Sequence, residues 1–527
     1  MSRSGDAANR DKRDYWLLAI ISPLISATSF IFYFRHNAIL LYGDAVAHTN
    51  IARHVFDSRT PGLWELGTVW LPLPHLIDIP FVASHWMWQS GVGASIPSML
   101  AYVFGVLGIF RLLRGFTSRG TAWLGALIYA LNPNLIYMQA TAMTEALYLA
   151  LFIWAVVHFS EFVRIARNDP QRARRSLEYS GILISASMLV RYDGWFFAAC
   201  ATFALLVVIL KFRLWQRAIL RGAVNFVLLT SLTAGLWLVY NHLAYGNSLE
   251  FANGYYSAAA IAERMKTPTF PSYPGENSLR TAALYFLKVS RIVVAEGPLD
   301  PWLLSVAFIA LVAAIYFSRR HLVLALLWVP MLFYSLSIAY GHVPIYFPKW
   351  YPFTYYNVRY GLQMLPAIAV FVALAGEFFS TIVRPRLLWP VIVLLAGASY
   401  FSIWSKKPVC LREAEVNGAD RMDFDARLAA ELRKLPPSAT IMMYTGSHSG
   451  ALQDVGIPFR RVVWEGNRPE WEIGLTRPAG AADYVVAVED DEVFYAVRRA
   501  PENLGLVATV GTTSHPRATI YRSAHSP

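Results

Sequence analysis

Between Leu40 and Ser58 the chain reads LLYGDAVAHTNIARHVFDS. Asp44 and His48 stand four residues apart, so on a helix they share one face. A carboxylate placed there can take a proton from a hydroxyl, and an imidazole one turn along can orient it or contact substrate. Arg53, His54 and Asp57 follow at once. Further ionisable residues interrupt apolar sequence: Glu145 in MQATAMTEALYLALF, Arg191 and Asp193 in LVRYDGWFF, and Lys349 and Arg359 in YFPKWYPFTYYNVRYGLQMLPAIAV. An ionisable group at membrane depth is costly and usually faces a cavity or a partner. Carboxylates gathered with Arg and Lys suit a phosphorylated substrate with a base beside it. Each residue also has a plainer reading. Asp44, after Gly43, is a good helix N-cap. Glu145 suits a helix start, Arg191 and Asp193 a local ion pair, and Arg359 an interface anchor with its head in water. His48, His54 and His75 leave a divalent metal open, but no cluster has convincing ligand spacing.

The elements that must position these groups are membrane helices. The chain has 527 residues, 56% of them hydrophobic and 15% charged, with mean hydropathy +0.39. Soluble proteins carry about a quarter charged residues. About eleven apolar segments are long enough to span, near 15–34, 95–113, 120–137, 144–163, 178–190, 195–211, 222–241, 301–317, 322–340, 360–379 and 387–404. Every second connection is basic: Arg3 to Arg13, Arg111 to Arg119, Arg164 to Arg175, Lys211 to Arg221, Arg319 and Arg320, then Arg384 and Arg386. This positive-inside pattern predicts a multi-pass protein of the cell membrane with a cytoplasmic N-terminus. The loop from about 35 to 94, the loops near 241–300 and 341–359, and the tail after Trp404 then face outward. The apolar run after Tyr15 has no small-residue cleavage site and reads as the first span, not a signal peptide. The net charge of +12 follows from this topology and from anionic lipid, which excludes nucleic acid as the partner. Cys200 and Cys410 lie far apart and imply no disulfide framework.

Residues 1–404 thus form a transmembrane domain, and residues 405–527 change character. DFDARLAAELRKL reads as an amphipathic helix, and ATIMMYT, ADYVVAVE, LGLVATVG and RATIYRS as strands, the last two as a terminal pair. The expectation is a small exoplasmic α/β domain on a polytopic α-helical membrane protein. YTGSHSGALQDVG is a strand, a turn and a helix; it suits an anion at the helix start or a plain βα turn, and it lacks a P-loop lysine.

In order and spacing, YGDAVAHTNIARHVFDS, GTVWLPLPHLI, ALNP with MTEALYLALF, LVRYDGWFF, WLVYNHLAYGNSLEFANGYYS and NVRYGLQMLPAIAV resemble the GT-C superfamily of polyprenyl-phosphate-sugar-dependent glycosyltransferases. The likeness is nearest the protein O-mannosyltransferase and lipid A aminoarabinose transferase branch. It implies that Asp44 is the catalytic carboxylate, that Arg359 holds the lipid phosphate, and that Arg191 and Lys349 assist. His48, His75, Glu145 and Asp193 complete the expected substrate site. The implied partners are a polyprenyl-phosphate sugar, a protein, lipid or glycan acceptor, and the bilayer. No cofactor is implied. Two departures stand out. Trp70 and Leu71 occupy the vicinity where the aminoarabinose branch has a lysine, and Ala45 replaces the second acidic residue of the mannosyltransferase branch. The rival readings are en bloc glycan transfer, against which the absence of a WWDYG-type motif counts, and a multi-pass transporter, against which the absence of an internal repeat counts.

Overall fold

The computed structural model describes residues 2–317, 319–380, 384–446, 448–512 and 515–524. Among the described residues, nine helices are long and apolar enough to cross a membrane: Asp11–Arg35, Val92–Arg114, Glu145–Ile165, Asp193–Phe212, Arg217–Tyr245, Gly297–Tyr316, His321–Tyr340, Val358–Phe379 and Leu387–Leu432. The last is broken near Pro408 into Pro385–Trp404 and Val409–Leu432. The two further segments expected from hydropathy are also helical, and each has a reason to fall short. The 120–137 segment divides into Arg119–Ala130 and Pro133–Met138, because Asn132 caps a new helix that Pro133 opens. The other lies in Pro170–Met188, whose first turns carry Arg172, Arg174, Arg175 and Glu178.

Val358–Phe379 is the hub of the bundle, with 83% of its apolar window buried, against 22% for Asp11–Arg35 and for Arg217–Tyr245 at the rim. Its Ala367, Ala369, Ala373, Ala375 and Gly376 are small enough for neighbouring helices to pack closely around it. Two glycines fix the ends that matter for function. A Cβ on Gly361 would stand 2.6 Å from the carbonyl oxygen of Val289, so the turn carrying Arg359 rests directly on the backbone of Leu279–Ile292. A Cβ on Gly194 would stand 2.6 Å from the Ser187 backbone, which keeps the hairpin carrying Arg191 tight.

The C-terminal region builds one sheet from Ile441–Met443 (β1), Val462–Val463 (β2), Tyr484–Val488 (β3), Leu504–Val510 (β4) and Ala518–Ser523 (β5), in the order β2-β1-β3-β5-β4. β1 runs parallel to β2 and β3, while β5 runs antiparallel to β3 and β4. The period of two divides the core. Ile441, Met443, Val486 and Val488 join the main apolar core with Leu428 and Leu432 of the long helix. Met442, Val485 and Ala487 pack with Trp471, Val493 and Val497 on the other face. The expected strands are present; β2, two residues long, has too little sequence to announce itself. The turn after β1 leads into the short helix Ser449–Val455, and its Ser447 lies outside the described residues. The sheet region seats on the first loop: Asn50 donates to Ser449 Oγ at 3.1 Å, Gln453 to the Trp88 carbonyl at 2.8 Å, and Arg59 pairs with Glu470 at 2.5 Å.

Gly361→Ala must push two backbones apart. A loss of about 1–3 kcal/mol is expected, read as a lower melting temperature of the purified protein in detergent. Gly235→Ala is the control: nothing lies within 4 Å of its Cβ in a helix interior, so its melting is expected to hold or rise.

Candidate active site

Arg359 lies in the short 3-10 turn Val358–Met364 that opens the hub helix. Asn357 makes the entry by adopting a left-handed φ of 55°, which Asn tolerates better than most residues, and its side chain donates to the Pro344 carbonyl at 3.0 Å. The buried guanidinium reaches several distant parts of the chain. Its Nη2 donates to Asp44 Oδ2 at 2.6 Å and its Nε to Glu145 Oε1 at 3.2 Å. Its Nη1 lies 3.7 Å from Glu413 Oε1, and its backbone N–H donates to Glu413 Oε2 at 3.1 Å. The rings of Tyr42 and Tyr360 lie 5.0 and 5.1 Å from its central carbon.

Arg191 stands on the other side of Glu145. Its Nη1 donates to the same Oε1 at 3.2 Å and to Thr144 Oγ1 at 3.1 Å, and its Nη2 donates to the Tyr334 hydroxyl at 2.9 Å. Its Nε lies 3.4 Å from Asp193, which also accepts from the Tyr334 hydroxyl at 2.9 Å. The Tyr360 ring lies beside both guanidinium groups, 4.8 Å from that of Arg191. Glu145 and Asp193 sit in the first turns of their helices, where the helix dipole favours a carboxylate.

Asp44 is not the cap of its helix. Gly43–His54 begins after Tyr42, no side chain caps it, and the Asp44 carboxylate points instead at Arg359. The other oxygen, Oδ1, has no hydrogen bond among the described residues, and the side chain is 36% exposed. One turn on, His48 Nδ1 meets His75 Nε2 at 2.8 Å, and both rings are buried. Burial, then the charges of Arg359 and Arg191, push the His48 imidazole down to about 3, so it stays neutral at ordinary pH. The two rings turn nitrogens toward each other, and among the described residues no three His, Cys, Asp or Glu side chains converge to hold a metal.

The rest of the first loop serves packing. Arg53 bonds Asp57 at 2.8 Å and the Val82 carbonyl at 2.8 Å, and His54 lies against Phe459 and Trp464 of the sheet region. Lys349 lies apart, exposed on the loop between Tyr340 and Val358, with no ion pair among the described residues. Glu413 was not singled out from sequence. It sits on the tail helix and accepts from the Tyr42 hydroxyl at 3.0 Å as well as from the Val358 and Arg359 amides. A signal exists: Glu413 falls on the apolar stripe of Val409, Cys410, Ala414 and Gly418.

Glu413→Gln puts an amide where two backbone N–H groups need acceptors. About 1–3 kcal/mol of stability should be lost. Glu415→Gln removes only an exposed partner of Lys407 and should barely move the melting temperature. His54 supplies a pH test. Burial holds its imidazole down to about 3, so the folded state stays neutral while the unfolded chain gains a proton below about 6.5. Stability therefore falls as pH drops from about 6.5 toward 3, by up to about 1.4 kcal/mol per unit for this residue. His54→Phe should flatten the dependence of melting temperature on pH between 7.5 and 5; an unchanged slope would mean that the ring titrates normally.

No protein-family profile and no curated protein sequence matches the chain. Solved structures do match. ArnT from Cupriavidus metallidurans bound to undecaprenyl phosphate aligns over 95% of this chain and 98% of its own, with a TM-score of 0.60 and 13% identity. Its apo form aligns over 95% and 99%, with a TM-score of 0.55 and 12% identity. The archaeal oligosaccharyltransferase AglB from Archaeoglobus fulgidus, in complex with an inhibitory peptide and a dolichol-phosphate, aligns over 98% of this chain and 75% of its own, at TM-score 0.51 and 12% identity. At such identities the likeness is one of fold: this chain shares the fold of these two proteins.

Proposed function

We propose that the chain is an integral membrane glycosyltransferase that moves a sugar from a polyprenyl-phosphate donor to an acceptor hydroxyl or amine. The observation that carries the reading is the Asp44–Arg359 contact at 2.6 Å, across 315 residues of sequence, with Glu145 and Arg191 in the same cluster. A carboxylate with one open oxygen thus pairs with one guanidinium group, and Glu145 links that group to a second. That is what displacement at a sugar phosphate requires. The fold shared with proteins solved with undecaprenyl phosphate and with a dolichol-phosphate supports the same donor class.

In this mechanism Asp44 Oδ1 takes the acceptor proton while the acceptor atom attacks the anomeric carbon. The bond from that carbon to the phosphate oxygen breaks, and its electron pair leaves with the phosphate. Arg359 and Arg191 hold the charge that builds there, in a site shielded from bulk water. A single displacement inverts the anomeric centre. Basic loops alternate along the sequence, so the proposed orientation puts the N-terminus in the cytoplasm, and the Asp44 cluster and residues 405–527 on the outer face of the cell membrane. Transfer of a whole glycan is the second reading, and the alignment with the oligosaccharyltransferase over 98% of this chain is the observation that favours it.

Asp44→Asn keeps an acceptor for Arg359 and removes the base. Purified and reconstituted, the variant should fold, bind undecaprenyl phosphate and lose about a hundredfold or more in turnover. Turnover near the wild-type level would remove Asp44 from the role of base.

A further inference from the structure

The His48–His75 contact has a direction. In one arrangement His48 Nδ1–H donates, and His75 then carries its proton on Nδ1. That atom is sealed and has no partner, so the proton would be an orphan donor. In the other arrangement His75 Nε2–H donates to His48 Nδ1, and the sealed atom is a bare lone pair. Orphaned buried N–H groups are rarer than under-satisfied acceptors, so the second arrangement is preferred. The His48 proton then sits on Nε2. This nitrogen has no hydrogen bond among the described residues and is not one of the sealed unpartnered atoms, so on a ring only 2% exposed it is the polar atom that keeps some accessible surface. On the same helix, one turn back, stands Asp44.

The neighbours of this N–H make a small wall. The Trp70 ring lies 5.1 Å from the His48 ring, tilted by 59°. Its segment is tied to the hairpin that carries Arg191: the Leu73 amide donates to the Leu189 carbonyl at 3.0 Å, and the Tyr192 hydroxyl to the Thr68 carbonyl at 3.4 Å. The Trp70 segment, which lies against His48, is therefore tied to the hairpin that carries Arg191. The charged and titratable groups around His48 are Asp44 on its own helix, Arg359 and Arg191 across the site, and His75 with the buried Asp78 on the neighbouring helix. Burial first, and then the two guanidinium groups, keep a proton off the ring, so His48 offers a fixed neutral donor instead of a base.

We propose that His48 Nε2–H, held in this tautomer by His75 as a positioning residue, donates to an oxygen of the donor's sugar, with Trp70 as the apolar wall of that subsite. The inference rests on the glycosyltransferase reading and names its substrate class: a neutral, hydroxyl-bearing sugar. An ammonium group at that position has no lone pair to accept from the N–H and sets a cation against a donor. At the atom it faces, the subsite therefore prefers a hydroxyl or ring oxygen to an ammonium group.

The test is binding to the purified full-length protein in nanodiscs. The probes are undecaprenyl phosphate, its mannosyl and glucosyl forms, and its 4-amino-4-deoxyarabinosyl form. At least one neutral sugar should tighten binding over the bare lipid phosphate by about tenfold, roughly what a well-placed polar contact supplies. The amino sugar should add nothing. His48→Leu should abolish the gain, while His48→Gln, whose amide N–H reaches the same place, should keep most of it. His75→Leu should weaken the gain, and His75→Gln, which still donates to His48 Nδ1, should restore it; a merely structural role for His75 predicts no such rescue. The gain is read in each variant relative to that variant's own affinity for bare undecaprenyl phosphate. A gain from the amino sugar, no gain from either neutral sugar, or an undiminished gain in His48→Leu would overturn the proposal while leaving the lipid-phosphate reading intact. Failure of the wild type to bind undecaprenyl phosphate at all would sink that reading and the proposal with it. Should His48→Leu not fold, the His75 pair and the amino-sugar comparison still decide.

Discussion

A buried guanidinium must be answered by carboxylates, and Arg359 organises the molecule around that demand. Water removed from a charge costs several kcal/mol, recovered only when opposite charge and hydrogen bonds close around it. Asp44, Glu145 and Glu413 supply these from the first-loop helix, the start of a spanning helix and the tail helix. Loss of one partner from such a cluster typically costs about 3–5 kcal/mol, since it strands the charge that remains. The cluster is therefore a requirement of folding, apart from the role proposed for it in the reaction. Gly361 and Gly194 matter because they let the turns bearing the two arginines settle at the depth where Glu145 can bridge both.

The same contacts make the sheet region part of the site's support. Glu413 accepts the Val358 and Arg359 amides and the Tyr42 hydroxyl, so the tail helix fixes both the arginine and the residue before the Asp44 helix. Asn50 and His54, further along that helix, lie against the sheet region itself. A helix only twelve residues long is thus held at its start, middle and end. Isolated helices of that length are marginal in water, so tertiary contact sets the orientation of Asp44 and His48.

Much of this was legible in sequence where one constraint dominates. Apolar length and alternating basic loops announce membrane helices, because nothing else explains both. Short runs rich in apolar and β-branched residues, set between turn residues, announce β1, β3 and the β4–β5 pair. Asp44, Glu145, Arg191, Asp193 and Arg359 stood out as charges in apolar or loop-edge sequence, and they converge. Lys349 stood out in the same way and stays exposed, because a short motif does not say whether its loop turns inward. Glu413 hid in a stretch that reads as an ordinary charged helix; its place on an apolar stripe hints at burial, and the partners on the far side of the fold give the reason for it. The segment near 120–137 shows the remaining limit: hydropathy passes over the Asn132–Pro133 break, which is a matter of backbone chemistry.

The charge balance of the cluster bears on how it would work. Among the described residues, Asp44, Glu145, Asp193 and Glu413 form ion pairs with Arg191 and Arg359 alone. A phosphate entering such a site adds negative charge to a cluster already rich in it. Glu413 is bound to backbone amides, Glu145 bridges both arginines and Asp193 holds Tyr334, so these three have structural work that ties them in place. Asp44 alone is partly open. Under the proposed reaction its carboxylate gains a proton as the leaving phosphate gains a negative charge, so the total charge of the site does not change. Protonation weakens the hold of Asp44 on Arg359 at the moment the phosphate needs a cation, and the guanidinium can shift its hydrogen bonds from one to the other without leaving its buried frame. The ion pair seen between Asp44 and Arg359 is then the resting position of a charge that the reaction hands to the departing phosphate.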